Sequence, residues 1–157
     1  KGEAPKKFPY PIFSNCIPQI DVFLENGYTK EEQKMIDETK KILGDQSLKI
    51  TATTVRVPVF HGHSESINVE FEKDFDLAEL KEFLSSSPGI ILKDDPASAL
   101  YPMAVYAEDR DEVFVGRIRR DDTVKSGVNL WVVADNIRKG AATNAVQIAE
   151  ILIKEYL

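Results

Sequence analysis

The 157 residues include one cysteine and two histidines. A single cysteine excludes an intrachain disulfide and a cysteine-based metal site, and fits a reducing compartment. No run approaches the roughly 18 apolar residues needed to span a bilayer, and the Lys- and Pro-rich start lacks an apolar signal core. The chain therefore reads as soluble and cytoplasmic, with no membrane partner. A basic face is missing as well. The formal net charge is −6, and the one basic cluster, Arg117 to Arg120, is followed at once by Asp121 and Asp122. That balance excludes a protein that tracks a nucleic-acid backbone. No Gly-rich dinucleotide-binding fingerprint opens a βαβ unit either.

With 43% hydrophobic residues, the chain can build one ordinary core, or a small core with an appended element. Prolines at 5, 9 and 11 make residues 1–11 an extended arm. Ile17 to Leu24 is a short apolar segment closed by Asn26-Gly27, and Cys16 at its start reads as a small buried hydrophobe. Thr29 and Glu32 form a capping box, which starts a helix through Met35, Ile36, Thr39, Ile42 and Leu43 that Gly44 can end. A second helix is capped by Asp76, with Glu79 in the reciprocal position and Leu77, Leu80, Phe83 and Leu84 as its apolar stripe. Strands are expected where Ile67, Val69 and Phe71 alternate with polar residues, and at Met103–Ala107, Val113–Arg119 and Asn129–Ala134, while Ile90–Leu92 is a brief apolar run. Several are half-polar, which favours an α+β fold with a mixed, largely antiparallel sheet and helices on one face. From Gly140 to Leu157 the helical pattern is apolar around more than half its circumference, as for a helix packed on two sides or against a partner.

Both histidines lie in one stretch, Thr51 to Glu65, whose apolar strand-like run is interrupted by Arg56, Pro58, His61, Gly62 and His63. Arginine suits bidentate capture of a carboxylate or phosphate, and histidine can accept and return a proton near neutral pH. On a regular strand Arg56 and His63 would lie on opposite faces about 23 Å apart, at about 3.3 Å per residue. Pro58 and Gly62 provide places for a bend. On residue types alone Arg56 can equally be an edge residue and the histidines strand-end decoration. Glu31 and Lys34, three apart on the first helix, are common surface decoration at that spacing.

In combination these motifs resemble a known family. Thr53-x-x-Arg-Val-Pro-Val-x-x-Gly-His-Ser-Glu65, Asn15-x-Ile-Pro-x-Ile-Asp-Val-Phe23, Thr29-Lys-Glu-Glu-x-Lys34, Glu38-Thr-Lys-Lys-Ile-Leu43 and Asp135-Asn-x-Arg-Lys-Gly-Ala-Ala142 are similar, in order and separation, to the C-terminal part of bacterial aspartate-semialdehyde dehydrogenase. The resemblance spans nearly the whole chain. It implies a fold like the C-terminal domain of glyceraldehyde-3-phosphate dehydrogenase, and reduction of 4-aspartyl phosphate to L-aspartate 4-semialdehyde with NADP as cofactor. His63 would be the acid/base, Arg56 the clamp on the substrate carboxylate and Glu31 the contact to its amino group. Lys34 would hold phosphate, and Asn136 would face the nicotinamide. No metal is implied. The expected partners are the small-molecule substrate, phosphate and a second copy bound through the sheet. Residues 1–139 would form the substrate-binding and dimerisation domain, and helix 140–157 would pack on an absent dinucleotide domain. The Asn-Cys segment that carries the family nucleophile is missing, so the chain by itself is expected to be an inactive fragment. Cys16 and His61 receive no role. The alternatives are a non-catalytic interaction module of the same fold and a related acyl-phosphate reductase, such as one acting on N-acetylglutamyl phosphate.

Overall fold

The computed structural model describes residues 7–157. The part of the expected arm at 1–6 lies outside the described residues, and residues 7–11 form no regular element. The chain divides into two compact units, one ending at Pro58 and the other running from Val59 to Leu157.

The first unit is organised on helix α1, Lys30–Leu43. Its start is the expected capping box: Glu32 N–H donates to Thr29 Oγ1 (3.3 Å), and Thr29 N–H donates to Glu32 Oε2 (2.7 Å). Gly44 ends the helix in the left-handed conformation, φ 68°, where a side chain would be strained. Of the strand-like run expected over Thr51 to Glu65, only the end from His63 joins a strand, and Thr51–Val57 does not. That segment makes only an isolated antiparallel bridge, Ile17 to Arg56, with both main-chain bonds present at 2.9 and 3.0 Å. Apolar β-branched composition without a neighbouring ladder does not make a strand, because the propensity reflects packing on a sheet. Ile17 takes the inward position beside this bridge, and Cys16 is exposed rather than buried.

The second unit is a four-stranded sheet in the order β1-β4-β3-β2, built from β1 (His63–Glu70), β2 (Ile90–Leu92), β3 (Val113–Asp121) and β4 (Gly127–Ala134). β4 pairs antiparallel with β1 and β3, and β2 pairs parallel with β3, so the expected α+β fold with a mixed, largely antiparallel sheet is the one observed. Alternation along the strands separates two apolar layers. On one face Val115, Ile118 and Val128 pack under Leu77, Leu80 and Leu84 of helix α2, Leu77–Ser86. On the other, Phe114 and Val133 enclose Ala107. Burial of each such side chain stabilises by about 1.5–3 kcal/mol. Asp76 caps α2 by accepting from Ala78 and Glu79 N–H, without a reciprocal bond from the Glu79 side chain.

Met103–Ala107, expected as a strand, holds the one-turn helix α3, Ala104–Ala107. Pro102 cannot donate to a ladder, and the turn carries Ala107 into the layer with Phe114 and Val133. Tertiary packing overrides the local pattern here. Between Gly116 and Arg119 the β3–β4 register slips through a bulge, with Arg117 in the left-handed region at φ 54°. The bulge is held from behind by Asp94, whose Oδ1 accepts from Ile118 N–H at 3.2 Å. Asp94 Oδ2 accepts no well-aligned hydrogen bond but lies 2.7 Å from Lys81 Nζ, so that pairing is electrostatic. Position 116 must be glycine, because a Cβ would run into the Lys93 carbonyl.

After β4, a wide turn at Arg138–Ala142 leads into helix α4, Thr143–Glu155. No residue of α4 is buried, and Val146, Ile148, Ile151, Leu152 and Ile153 are about half exposed or more. Among the described residues no helix is long and apolar enough to cross a membrane.

Candidate active site

The candidate residues fall on both units. Arg56, Glu31 and Lys34 belong to the first, and His63 and Asn136 to the second.

In the first unit Arg56 is half-buried, and its backbone is fixed by the two bonds to Ile17. Its guanidinium lies 4.9 Å from the centre of the Phe8 ring, a cation–π distance. Together with Ile17, Gln19 and Asp21 it lines a hollow of about 210 Å³. Asp21 holds a left-handed backbone, φ 68°, tolerable for aspartate, whose side chain bonds locally through Val22 N–H at 2.8 Å. Lys34 Nζ donates to Glu31 Oε1 at 3.2 Å on the first two turns of α1. The Glu31 carboxylate is the main cause that raises the Lys34 ammonium above its ordinary range, with smaller contributions from Glu38 and Asp21. Asp21 therefore stands near both the cation of α1 and the hollow beside Arg56. The hollow itself sets the cations Arg56 and Lys7 against the acid Asp21, a set able to hold a carboxylate.

In the second unit His63 is exposed at the first position of β1, in register with Ala134. Its backbone direction is set just before it. Gly62 sits at φ 87°, where a Cβ would press on the Ala134 carbonyl, and Gly62 N–H donates to Asn136 Oδ1 at 3.2 Å. Pro58 and Gly62 thus do break the run, as the sequence allows. Asn136 spends its side-chain oxygen on Gly62, and its amide nitrogen remains the group able to donate to a ligand.

Asp135, beside Asn136, was not singled out from sequence. It is only 3% exposed. Its Oδ1 accepts from Ile137 N–H (2.7 Å) and Arg138 N–H (2.9 Å), and its Oδ2 from Asp109 N–H (3.0 Å). The Arg138 amide, followed by those of Asp109 and Ile137, holds its carboxyl below the usual carboxylate range, against the opposing effect of burial. Asp135 thus ties the end of β4 to the loop after α3, and so places Asn136. A signal was present in the Asp-Asn pair after a strand, where an Asx turn is common. His61 pairs with Glu108, Nε2 to Oε1, at 3.3 Å. Among the described residues no group of three or more His, Cys, Asp or Glu side chains could hold a metal ion.

The exposed face of the sheet carries a second, larger hollow of about 470 Å³, lined among others by Ser64, Ser66, Arg117, Arg119 and Trp131. Trp131 Nε1–H donates to the Pro102 carbonyl at 3.0 Å and forms part of its wall.

Comparison with known proteins gives this geometry a context. The family model for the semialdehyde dehydrogenase dimerisation domain matches residues 2–139. The chain is similar to the aspartate-semialdehyde dehydrogenase of Aquifex aeolicus, 59% identical over 157 residues, covering 99% of this chain and 46% of that protein. To the Bacillus subtilis enzyme of the same name it is 53% identical over 146 residues, covering 92% and 42%. Among solved structures it is similar to aspartate semialdehyde dehydrogenase II of Vibrio cholerae complexed with ASA, with TM-score 0.91 and 51% identity over 98% of this chain and 45% of that one. It is also similar to the Candida albicans enzyme with NADP, with TM-score 0.72 and 29% identity over 90% and 45%. The chain spans less than half the length of these relatives.

Proposed function

The chain belongs to the semialdehyde dehydrogenase dimerisation-domain family, and from that premise we propose that it is the substrate-binding and dimerising half of an aspartate-semialdehyde dehydrogenase. Such an enzyme reduces 4-aspartyl phosphate to L-aspartate 4-semialdehyde and releases phosphate. The observation that carries the reading is the charge set of the first unit, with Arg56 beside Asp21 in one hollow and Lys34 paired with Glu31 on α1 and influenced by the same Asp21, charges that suit an amino-acid acyl phosphate.

In this reading Arg56 grips the substrate carboxylate. Its main-chain bonds to Ile17 fix the backbone from which the guanidinium reaches. Glu31 meets the substrate ammonium, and Lys34 attracts the phosphate as a point charge. In the free chain Glu31 and Lys34 satisfy each other at 3.2 Å. Both are partly exposed, so this pair is weak and readily exchanged for ligand. His63 holds and moves the proton. It takes the thiol proton from the nucleophile on the other half of the enzyme, gives a proton to the substrate oxygen as the hemithioacetal forms, and takes it back as the aldehyde forms and the sulfur leaves.

NADP fits this chain at a single point, the free amide nitrogen of Asn136, whose oxygen is already committed to Gly62. When bound it supplies the hydride. The bulk of its binding falls to another domain, since the chain carries no phosphate-cradling glycine loop. Helix α4, without a buried residue in this chain, would pack on that domain. The dimer would form through the exposed sheet face around Ser66, Arg117 and Trp131.

His63→Ala in the full-length enzyme tests the reading. Turnover should fall by roughly 10²–10⁴-fold, with KM for semialdehyde near the parent value. Retention of turnover within a factor of about three would remove His63 from this role.

A further inference from the structure

Glu32 is the one acidic side chain of α1 that is buried, at 6% exposure, and none of the chemistry above uses it. A capping-box glutamate needs only its bond back to the cap residue, which here is Thr29 N–H to Oε2 at 2.7 Å. Oε1 does something the cap does not require. It accepts Thr54 N–H at 2.7 Å and faces Thr54 Oγ1 at 3.3 Å, across 22 residues of chain. Thr54 stands two positions before Arg56, in a segment with no ladder of its own. Glu32 stands between Glu31 and Lys34 on the helix.

The Thr54–Arg56 segment therefore has two anchors. The bridge to Ile17 fixes Arg56 itself, and the Glu32 carboxylate fixes the approach to it from α1. Resting on the function proposed above, we infer that Glu32 is a positioning residue that sets the separation between the Arg56 clamp and the Lys34 phosphate site. The carboxylate lies below its ordinary pKa range because of the Thr29 and Thr54 backbone bonds, so it is charged at neutral pH and both bonds are charge-assisted. A substrate that carries its carboxylate at one end and its phosphate at the other requires that separation to be held. A misplacement of about 1 Å can cost on the order of 10²-fold in rate.

The experiment compares Glu32→Gln with Thr29→Ala in the full-length enzyme, assayed with aspartate semialdehyde and inorganic phosphate. Glu32→Gln keeps the shape but places an amide nitrogen against one of the two N–H donors. Thr29→Ala loosens the start of the helix and leaves the tie to Thr54 intact. Both should lower the thermal midpoint. Only Glu32→Gln should raise KM for semialdehyde and for phosphate together, with kcat/KM down roughly 10²-fold and faster hydrogen exchange at the Thr54 amide. Equal KM effects from both variants, or kcat/KM within twofold of the parent in Glu32→Gln, would overturn the inference. If Glu32→Gln fails to fold, Thr54→Val removes the hydroxyl contact with the cap intact. A rise in both KM values supports the tie, and parent-like constants refute it. Absence of turnover in the parent enzyme would defeat the functional reading separately, and Thr54 amide exchange would still decide whether Glu32 makes the tie.

Discussion

Replacing Leu152 of α4 by glutamine should be mild in the 157-residue chain and costly in the full-length protein. Leu152 is 49% exposed, Ile151 50% and Ile148 51%, and α4 touches chiefly the turn that precedes it. Full burial of a leucine stabilises by about 1.5–3 kcal/mol, so roughly half of that, about 1 kcal/mol, is still ungained at Leu152. In the 157-residue chain the exchange removes at most the half already gained and introduces no buried polar group, which keeps the effect at about 1 kcal/mol or below. Where another domain covers the helix, the variant loses the covering contribution. It also buries an amide without an assured partner, at about 1–3 kcal/mol, for a total of about 2–4 kcal/mol. Urea unfolding of parent and variant in both forms reads the difference directly. A loss above about 1.5 kcal/mol in the 157-residue chain would mean that α4 packs on this chain's own core or on a second copy. No loss in the full-length protein would mean that nothing covers it.

Ser66→Lys adds a third cation to a hollow already lined by Arg117 and Arg119. If copies associate through this face, sedimentation velocity should show the dimer shifting to monomer, and an unchanged dimer would place the interface elsewhere. Asp135→Asn should flatten the acid limb of stability. The Asp135 carboxyl is depressed in the fold, so its contribution is complete above the unfolded carboxylate range, near pH 4, and is lost as pH falls through the lower folded value. Urea midpoints of parent and variant should differ most near neutral pH and converge in acid. A gap that is constant with pH would assign the effect to packing instead.

Elements whose signals are local were legible in the sequence. The capping box at Thr29, the Gly44 stop, the Asp76 cap and the strands at Ile67–Val69, Val113–Arg119 and Asn129–Ala134 all rest on contacts within a few residues or on strict alternation. What failed depended on distant partners. Thr51–Val57 has strand composition, but the only ladder it meets is one bridge to Ile17, while Met103–Ala107 coils because Phe114 and Val133 leave a pocket the size of Ala107. At the site, the residue types and the bend at Gly62 could be read in advance. The second bond of Glu32 and the Asp109 amide on Asp135 could not, because those donors come from segments that spacing does not relate to them.

These two hidden carboxylates also explain how a site can be held by segments with so little regular structure. Arg56 lies outside any strand, and Asn136 lies past the end of one. Each follows or adjoins a backbone segment whose amide donors converge on a buried carboxylate, Thr54 on Glu32 and Ile137 and Arg138 on Asp135. A buried carboxylate left without its donors is strongly destabilising, so each segment is confined to the path that supplies them. Irregular backbone can aim a guanidinium or an amide where a strand's alternation could not, provided something other than a ladder fixes it. Glu32 provides that fixation in the first unit and Asp135 in the second, each for its own segment, while the Glu31–Lys34 pair and His63 lie partly or fully exposed.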